Sequence, residues 1–270
     1  MDKLQIISYI SDWKSNDYYP AIFRGIITSF LCSIENTNFK LIELGSNLKS
    51  HDVVAMCFVV KHSFESFPKG TIHLLCVSSE PSLVAPMVVC KYKEHFFVGV
   101  DDGRFSLIFN QSDIISYHLP LPDKFSTFML PHYCVSAIKL ILERKWELVN
   151  SHPLRVLTKQ MPVVLKDAII GKVIFSDSYG NVISNISKDL FTKFLTYKRT
   201  EDSFNGNYNI YVQGPYLKIN AISENYSDVV SGEIFALFNS LGLLELGINS
   251  GNFAAIEGVE LNCEISIMFK

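Results

Sequence analysis

The chain changes in character part-way along its length, and this change limits the folds available to it. As far as about residue 150, strand-like apolar runs alternate with amphipathic runs typical of helices, which predicts a sheet flanked by helices. After about residue 165, short strand-like runs are separated by Gly, Asn and Pro, a pattern typical of a small antiparallel barrel or sandwich. We therefore predict an α/β N-terminal domain in residues 1–160 and a small antiparallel β-barrel domain in residues 166–270. A linker is expected between Pro153 and Pro162.

Individual runs predict the order of elements in the first domain. Three strands are expected in KLQIISYISDW, NFKLIELGS and KGTIHLLCVSSEP, and two helices in YYPAIFRGIITSFLCSI and SHDVVAMCFVVKHSFESF. PMVVCKYKEHFFVGVDDG predicts a hairpin, and HYCVSAIKLILERKWELVN predicts a long amphipathic helix. Pro20 suits the first turn of the first helix, and Ser50 or Asp52 can cap the second.

Composition excludes several classes of protein. The chain is 48% hydrophobic and carries a net charge of −3 without a basic block, so it offers no case for binding nucleic acid. Six cysteines without a CxxC pair indicate buried free thiols in a reducing compartment. Seven histidines show no HxH or HxxxH spacing, so no metal site is expected. No signal peptide is visible and no uncharged apolar run reaches the roughly 18 residues of a membrane helix, so we expect a cytoplasmic protein without membrane contact.

Generic motifs give little further information. The chain contains no GxGxxG, no Walker loop and no GxSxG elbow. VDDGRF, from Val100 to Phe105, is more typical of a turn than of a catalytic carboxylate pair. Asp12 follows the first predicted strand, at the end where α/β sheets present ligand-binding loops. A lone Asp in this place only weakly indicates a site.

The stretch VIFSDSYGNVISNISKDLF, from Val173 to Phe191, raises a sharper question. It opens like a strand and closes like a helix, but short polar residues lie between the two apolar runs. A plain hairpin turn would account for them, and so would a ligand site on that turn.

The order of the polar turns along the chain is more specific than any one of them. ISDWKSNDYYPAIFRGII, FPKGTIHLLCVSSEP and GVDDGRFS follow one another in the first half, and GKVIFSDSYGNVISNI and YSDVVSGEIFALFNSLGLLELGINSGNFAA in the second. Together they resemble the S-adenosyl-L-methionine (SAM) hydroxide adenosyltransferases, a family related to the fluorinating and chlorinating enzymes. The resemblance covers nearly the whole chain. Residues in family positions include Asp12, Asp17, Tyr19, Arg24, Gly25, Asp177, Gly180, Asn181, Asn185, Tyr226, Asn239, Ser240, Glu245 and Asn249.

The resemblance implies a ligand and a set of residues that bind it. The expected ligand is SAM or a related adenosyl compound, bound as substrate or ligand without any further cofactor. Asp12 would accept the paired ribose hydroxyls and Asp177 the ammonium group. Asn181 would pair with an adenine edge, and Tyr179 would offer a flat apolar face to the purine. Asn239 and Ser240 complete the expected ligand-binding set.

The resemblance also implies an assembly. It predicts a homotrimer in which each site forms between the N-terminal domain of one subunit and the C-terminal domain of its neighbour. Asp17 and Glu245 are equally interpretable as ionic contacts between subunits.

The chain departs from the family where its hydrolysing members carry an Asp, an Arg and a His that position and activate water. Those places read Ser78, Ala85 and Met129 in this sequence. Such side chains cannot carry the charge or accept the proton. His132 lies three positions beyond Met129 and cannot be assumed to replace the missing His.

Three hypotheses therefore stay open. The protein hydrolyses SAM to adenosine and methionine with an altered water site; or it binds an adenosyl ligand without turning it over; or it transfers the adenosyl group to another nucleophile, of which a halide is the least favoured. Taken singly, the Gly and Asn residues are as compatible with turn structure as with ligand contact.

Overall fold

A computed structural model describes residues 4–35, 37–45, 48–109, 113–122, 127–158, 160–200, 204–214 and 216–270. The chain divides into two compact units, Met1–Thr158 and Lys159–Lys270. Each unit has its own sheet and its own hydrophobic core.

The first unit is a six-stranded sheet with helices on both faces. Its strand order is β2-β1-β3-β5-β4-β6, and the first four strands of this order are parallel, while β4 runs antiparallel to β5 and β6. The elements are β1 (Leu4–Ile10), α1 (Tyr18–Cys32), β2 (Asn38–Gly45), α2 (Val53–Ser63), β3 (Ile72–Leu75), β4 (Met87–Tyr92), β5 (His95–Val100), α3 (Arg104–Ile108), β6 (Ile115–His118) and α4 (Leu130–Glu143).

Alternation along the central strands explains the two layers of helices. In β1, Ile7 contributes to the core cluster that also holds residues of α1 and α4, whereas Ile10 contributes to the cluster that holds residues of α2 and α3. Successive side chains of a strand point to opposite faces, so a strand that is buried on both faces reads as a continuous apolar run. The predicted α/β domain with a helix-flanked sheet is confirmed.

Two details of the first unit differ from the sequence-based expectations. The helix expected to continue to Asn150 ends at Glu143, because Arg144 adopts a left-handed backbone (φ 56°) that a helix cannot continue through. Cys32 is exposed rather than buried, whereas Cys57, Cys76, Cys90 and Cys134 are buried thiols as expected. The predicted hairpin is confirmed: β4 and β5 pair antiparallel through a tight turn.

The second unit is an antiparallel sheet that closes almost into a barrel, as predicted. Its strand order is β11-β10-β14-β8-β9-β13-β12, with β7 pairing on β8. β11 and β12 approach each other, which nearly closes the sheet. The elements are β7 (Val163–Val164), β8 (Ala168–Ser176), β9 (Val182–Ser187), α5 (Lys188–Lys198), β10 (Tyr208–Val212), β11 (Leu217–Ile219), β12 (Ile234–Phe238), β13 (Leu243–Ile248), α6 (Phe253–Glu257) and β14 (Glu264–Phe269).

The helices and the ionisable side chains of the described residues lack the features of two classes of protein. Among these residues, every helix is too short or too polar to cross a bilayer. Within the same residues, no cluster of three or more His, Cys, Asp or Glu side chains is arranged to hold a metal ion.

Candidate functional site

The turn between β8 and β9 is built around the carboxylate of Asp177. Its Oδ1 accepts the backbone N–H groups of Tyr179 and Asn181, both at 2.9 Å, and its Oδ2 accepts the Asn181 side-chain amide at 3.1 Å. A short Asp side chain can bond the backbone two residues further on, which stabilises such turns. The polar residues of this stretch therefore form a defined turn, and Asp177 also orients the amide of Asn181.

A cavity of about 670 Å³ opens beside this turn within the second unit. Its volume falls within the range usual for small-molecule pockets. Tyr179 is 77% exposed, and an aromatic ring in such a place can stack on a flat ligand. The lining residues are Asp177, Tyr179, Asn181, Tyr226, Phe235, Ile248, Asn249, Ser250, Gly251 and Asn252.

Close packing against two glycines shapes the cavity wall. Gly180 has φ +84°, and a Cβ at this position would overlap the side-chain amide of Asn252. That amide caps α6, since its Oδ1 accepts the N–H of Ala255 at 2.8 Å. A Cβ on Gly247 would overlap Asn181. The turn, α6 and β13 can therefore approach one another only because these two positions lack side chains.

Hydrogen bonds to the buried carboxylate of Glu245 hold Tyr226, another residue of the cavity lining. The Tyr226 hydroxyl donates to Glu245 Oε1 at 3.0 Å, and the Asn239 amide donates to Glu245 Oε2 at 2.9 Å. Burial, and then the charge and hydrogen bond of Glu245, raise the pKa of Tyr226 to about 12, so the hydroxyl stays a donor. Asn239 is not among the residues that line the cavity; it bonds Glu245, which in turn bonds the lining residue Tyr226. Ser240 is exposed in the turn between β12 and β13.

The first unit places a second polar cluster at the carboxyl ends of its parallel strands. Asp12 follows β1 and is half-buried, and its Oδ2 accepts the backbone N–H of His51 at 2.7 Å. His51 Nδ1 lies 2.8 Å from the hydroxyl oxygen of Ser78, which follows β3. Since β1 and β3 are neighbours in the sheet, their ends bring Asp12 and Ser78 close together, at the edge where α/β sheets bind ligands.

The backbone of this cluster is strained and anchored. His51 and Ser78 both adopt left-handed conformations, with φ values of 64° and 43°. Such conformations are costly for residues other than glycine, and they concentrate at functional sites. The buried guanidinium of Arg104 donates to the carbonyls of Val77 and Ser78 at 2.8 and 2.9 Å, and it pairs with Asp102.

The ion pair between Arg104 and Asp102 stabilises the backbone of this cluster. Burial raises the pKa of the Asp102 carboxyl, but the hydrogen bonds and the charge of Arg104 outweigh this effect. The pKa of Asp102 therefore lies below its ordinary value. Arg104 is fully buried and needs these partners, because an unpaired charge in a protein core is strongly destabilising.

The other two positions that depart from the family pattern offer no ionisable group. Ala85 lies in the loop before β4, where its N–H and carbonyl bond Ser82. Met129 directly precedes α4, and both Ala85 and Met129 pack against the core. Trp13, next to Asp12, forms an edge-to-face contact with Phe128 at a ring distance of 5.5 Å. Trp13, Phe128 and Met129 all pack against the same hydrophobic core.

Several residues of these clusters escaped the sequence-based prediction. The sequence identified Asp52 as a helix cap, and its Oδ1 does accept the N–H of Ala55 at 2.8 Å, but it gave no sign that the preceding His51 joins Asp12 to Ser78. Arg104 gave no signal either, because arginine is rarely buried. Asp177, Tyr179 and Asn181 all line one cavity, and their binding of a ligand stays a prediction.

Comparisons with known proteins identify the family of both domains. The family model of the SAM hydroxide adenosyltransferase N-terminal domain matches residues 7–131. The family model of the SAM hydroxide adenosyltransferase C-terminal domain matches residues 171–266. An (R)-S-adenosyl-L-methionine hydrolase from Methanocaldococcus jannaschii is 22% identical over 276 residues, which cover 99% of this chain and 97% of that protein.

Solved structures share the fold. The crystal structure of an uncharacterized conserved protein from Thermotoga maritima matches with a TM-score of 0.80 and 23% identity over 97% of this chain and 99% of that one. A conserved hypothetical protein from Thermus thermophilus matches with a TM-score of 0.70 and 18% identity over 98% of this chain and 100% of that one. Because the two domain models together match most of its length, the chain belongs to the SAM hydroxide adenosyltransferase family.

Proposed function

We propose that the protein hydrolyses SAM to adenosine and methionine by displacement at the 5′ carbon. The observation that carries this proposal is the cavity beside the Asp177 turn, where a carboxylate, an amide and an exposed aromatic ring converge. These are the groups that an ammonium, a nucleobase edge and a purine face require. The related hydrolase of M. jannaschii, which aligns over nearly the full length, gives independent support.

Asp177 can serve the turn and a ligand at the same time. Within the described residues its Oδ2 accepts one hydrogen bond, from Asn181, and a carboxylate oxygen has capacity for about two. Asp12 has the same property: its Oδ2 accepts the N–H of His51, and the carboxylate stays half-buried. In the proposed complex Asp177 binds the ammonium group, and Asp12 accepts the ribose hydroxyls.

The reaction makes modest demands on the protein. Water attacks the 5′ carbon, the carbon–sulfur bond breaks, and the electron pair stays on the sulfur of methionine. The sulfonium is already a good leaving group, so the protein must position the reactants and take the proton of water. Ser78, Ala85 and Met129 do not supply the charged set of the family's hydrolysing members, so we expect slow turnover.

A second candidate function is binding of an adenosyl ligand without turnover. The observation that favours it is the apolar setting of Met129 and Ala85, which pack against the core. Adenosyl transfer to another nucleophile, with a halide as the least favoured, is a third candidate, since a halide needs no deprotonation.

One experiment separates these functions. Calorimetry with SAM and with adenosine measures binding, and chromatography of the same mixtures detects adenosine and methionine. Both epimers at the sulfonium should be tested, because the name of the related hydrolase specifies (R)-SAM. Adenosine that forms with the wild type and is lost in Asp177→Ala supports hydrolysis. Binding without formation of adenosine supports the second candidate, which is binding without turnover. Absence of binding contradicts all three candidate functions.

We also propose a homotrimer that acts in the cytoplasm without a cofactor. The resemblance to the family supports the trimer, with Asp12 of one subunit and Asp177 of its neighbour at each site. The six free cysteines support a reducing compartment.

A further inference from the structure

We infer that His51, oriented by Ser78, is the base that accepts the proton of the attacking water. This inference rests on the proposed hydrolysis of SAM. It assigns a catalytic residue that lies outside the positions of the family's Asp, Arg and His, which are Ser78, Ala85 and Met129 in this chain.

Three polar residues converge around His51. Asp12, His51 and Ser78 come from three separate loops, and two hydrogen bonds join them: 2.7 Å from the His51 N–H to Asp12 Oδ2, and 2.8 Å between His51 Nδ1 and Ser78 Oγ. The carboxylate holds the backbone of His51 while the hydroxyl holds its ring. A histidine held at its backbone and at one ring nitrogen has a defined orientation, which a general base needs.

The backbone of the Ser78–His51 pair is held in an unusual conformation. His51 and Ser78 are both held at positive φ. Among residues other than Gly, His tolerates a left-handed backbone better than most, as Asn and Asp do, so the strain is greater at Ser78. Arg104 stabilises the Ser78 conformation from below, because its buried guanidinium donates to the carbonyl of Ser78 at 2.9 Å and to that of Val77 at 2.8 Å. The fold thus uses a buried arginine to hold the partner of His51. Arg104 is a positioning residue in this arrangement.

The chemistry of the two side chains gives Ser78 and His51 different roles. If Ser78 were the nucleophile, its oxygen would form an ether with the 5′ carbon, and water does not readily cleave an ether, so the protein would be inactivated after one event. Ser78 therefore orients and His51 reacts. When Nδ1–H donates to Ser78 Oγ, the lone pair for the proton lies on Nε2.

The step balances without a further reactant. The oxygen of water bonds to the 5′ carbon, and the carbon–sulfur bond breaks with its electron pair left on methionine. The proton of water passes to His51 Nε2 and then to solvent, because His51 is exposed.

The test compares four single variants for adenosine formation from SAM. His51→Asn removes the base but keeps a residue that tolerates a left-handed backbone, so the fold should persist. His118→Asn, at an exposed position of β6, is the matched control for loss of an imidazole. His132→Ala tests the alternative base near Met129, and Ser78→Ala tests the orienting group.

The expected result is a fall in kcat of about 100-fold or more for His51→Asn with KM changed little, since general bases contribute on the order of 10² to 10⁴. Added imidazole should restore part of the rate of His51→Asn, and Ser78→Ala should fall less. His118→Asn and His132→Ala should match the wild type. Full activity in His51→Asn, or a loss confined to His132→Ala, overturns the inference and leaves the proposed hydrolysis standing. A wild type that forms no adenosine overturns both.

Discussion

His73 shows how burial of a single side chain makes stability depend on pH. Its Nδ1 lies 2.6 Å from Ser8 Oγ and its Nε2 lies 3.2 Å from His95 Nδ1, inside the sheet of the first unit. Burial, and then the nearby His95, lower the pKa of His73 to about 3 from its ordinary 6.5. The pKa of His95 is lowered as well, chiefly by burial. Both imidazoles are therefore neutral in the folded protein near neutral pH.

The lowered pKa of His73 makes the free energy of unfolding depend on pH. Between pH 3 and pH 6.5 the unfolded chain binds a proton at His73 that the folded chain does not, so stability is present above pH 6.5 and falls as the pH drops. We expect the free energy of unfolding to fall by at most about 1.4 kcal/mol per pH unit from this residue. Urea titrations at several pH values give the free energy of unfolding as a function of pH. Compared with the wild type, this pH dependence should be weaker for His73→Asn and unchanged for His118→Asn. Equal pH dependence in all three proteins would contradict the assignment.

Tyr226 gives a second prediction at the scale of one residue. Tyr226→Phe removes a donor from the carboxylate of Glu245, which is only 3% exposed and would keep the amide of Asn239. A buried acceptor that loses a partner costs about 1–3 kcal/mol, so the free energy of unfolding should fall by that amount. Tyr216→Phe is the control, because Tyr216 is 98% exposed and its removal should change stability by less than about 0.5 kcal/mol. Equal effects in urea unfolding would refute the network.

Sequence reasoning at the residue scale succeeded where chemistry is visible in a short run. Asp177 and Asn181 lie four positions apart, and one tight turn brings them together. It failed where a contact joins distant parts of the chain: His51 and Ser78 are 27 positions apart, and only the sheet order makes them neighbours. A buried Arg104 likewise depends on carbonyls that no local pattern reveals.

At the scale of elements, the long periodic runs were predictable and the short or interrupted ones were not. α1 and α2 have enough turns to show a helical period, and a capping residue was visible before α2. α6 has five residues, which is too few to show a period, and its start depends on the Asn252 cap. The end of α4 was missed because Arg144 gives no sign in the sequence that it adopts a left-handed backbone.

The junction between the β8–β9 turn and α6 gives a prediction that compares two glycines. Gly180 and Gly206 have φ values of +84° and +85°. Among the described residues, a Cβ at Gly180 would meet the amide of Asn252, whereas a Cβ at Gly206 would meet nothing within 4 Å. Gly206→Ala therefore reports the backbone cost alone, on the order of 1–2 kcal/mol, and Gly180→Ala adds the steric cost at the α6 cap. Thermal and urea unfolding should show a larger loss for Gly180→Ala, together with weaker SAM binding. Equal losses for the two variants would show that α6 moves aside at no cost.

At the scale of the whole molecule, the two units carry complementary halves of the proposed chemistry. The first unit holds Asp12 with His51 and Ser78, and the second holds the cavity at Asp177. In the proposed hydrolysis the base, His51, belongs to the first unit and the ammonium site, Asp177, to the second. Each active site therefore needs one first unit and one second unit. The resemblance to the family assigns the two copies to neighbouring subunits of a trimer, and light scattering should then give about 92 kDa, three times the 30.6 kDa of the chain.

Mixing two inactive variants tests this assignment directly. Asp12→Ala and Asp177→Ala should each form inactive trimers when expressed alone, because every site lacks one carboxylate. Co-expressed in equal amounts, they should form random trimers in which about one site in four takes an intact Asp12 from one subunit and an intact Asp177 from its neighbour. Adenosine formation should then recover to about a quarter of the wild-type rate, since the sites in a ring of identical subunits are equivalent. If both carboxylates of a site came from one chain, every site in the mixture would be defective, and the mixture would be as inactive as its parents.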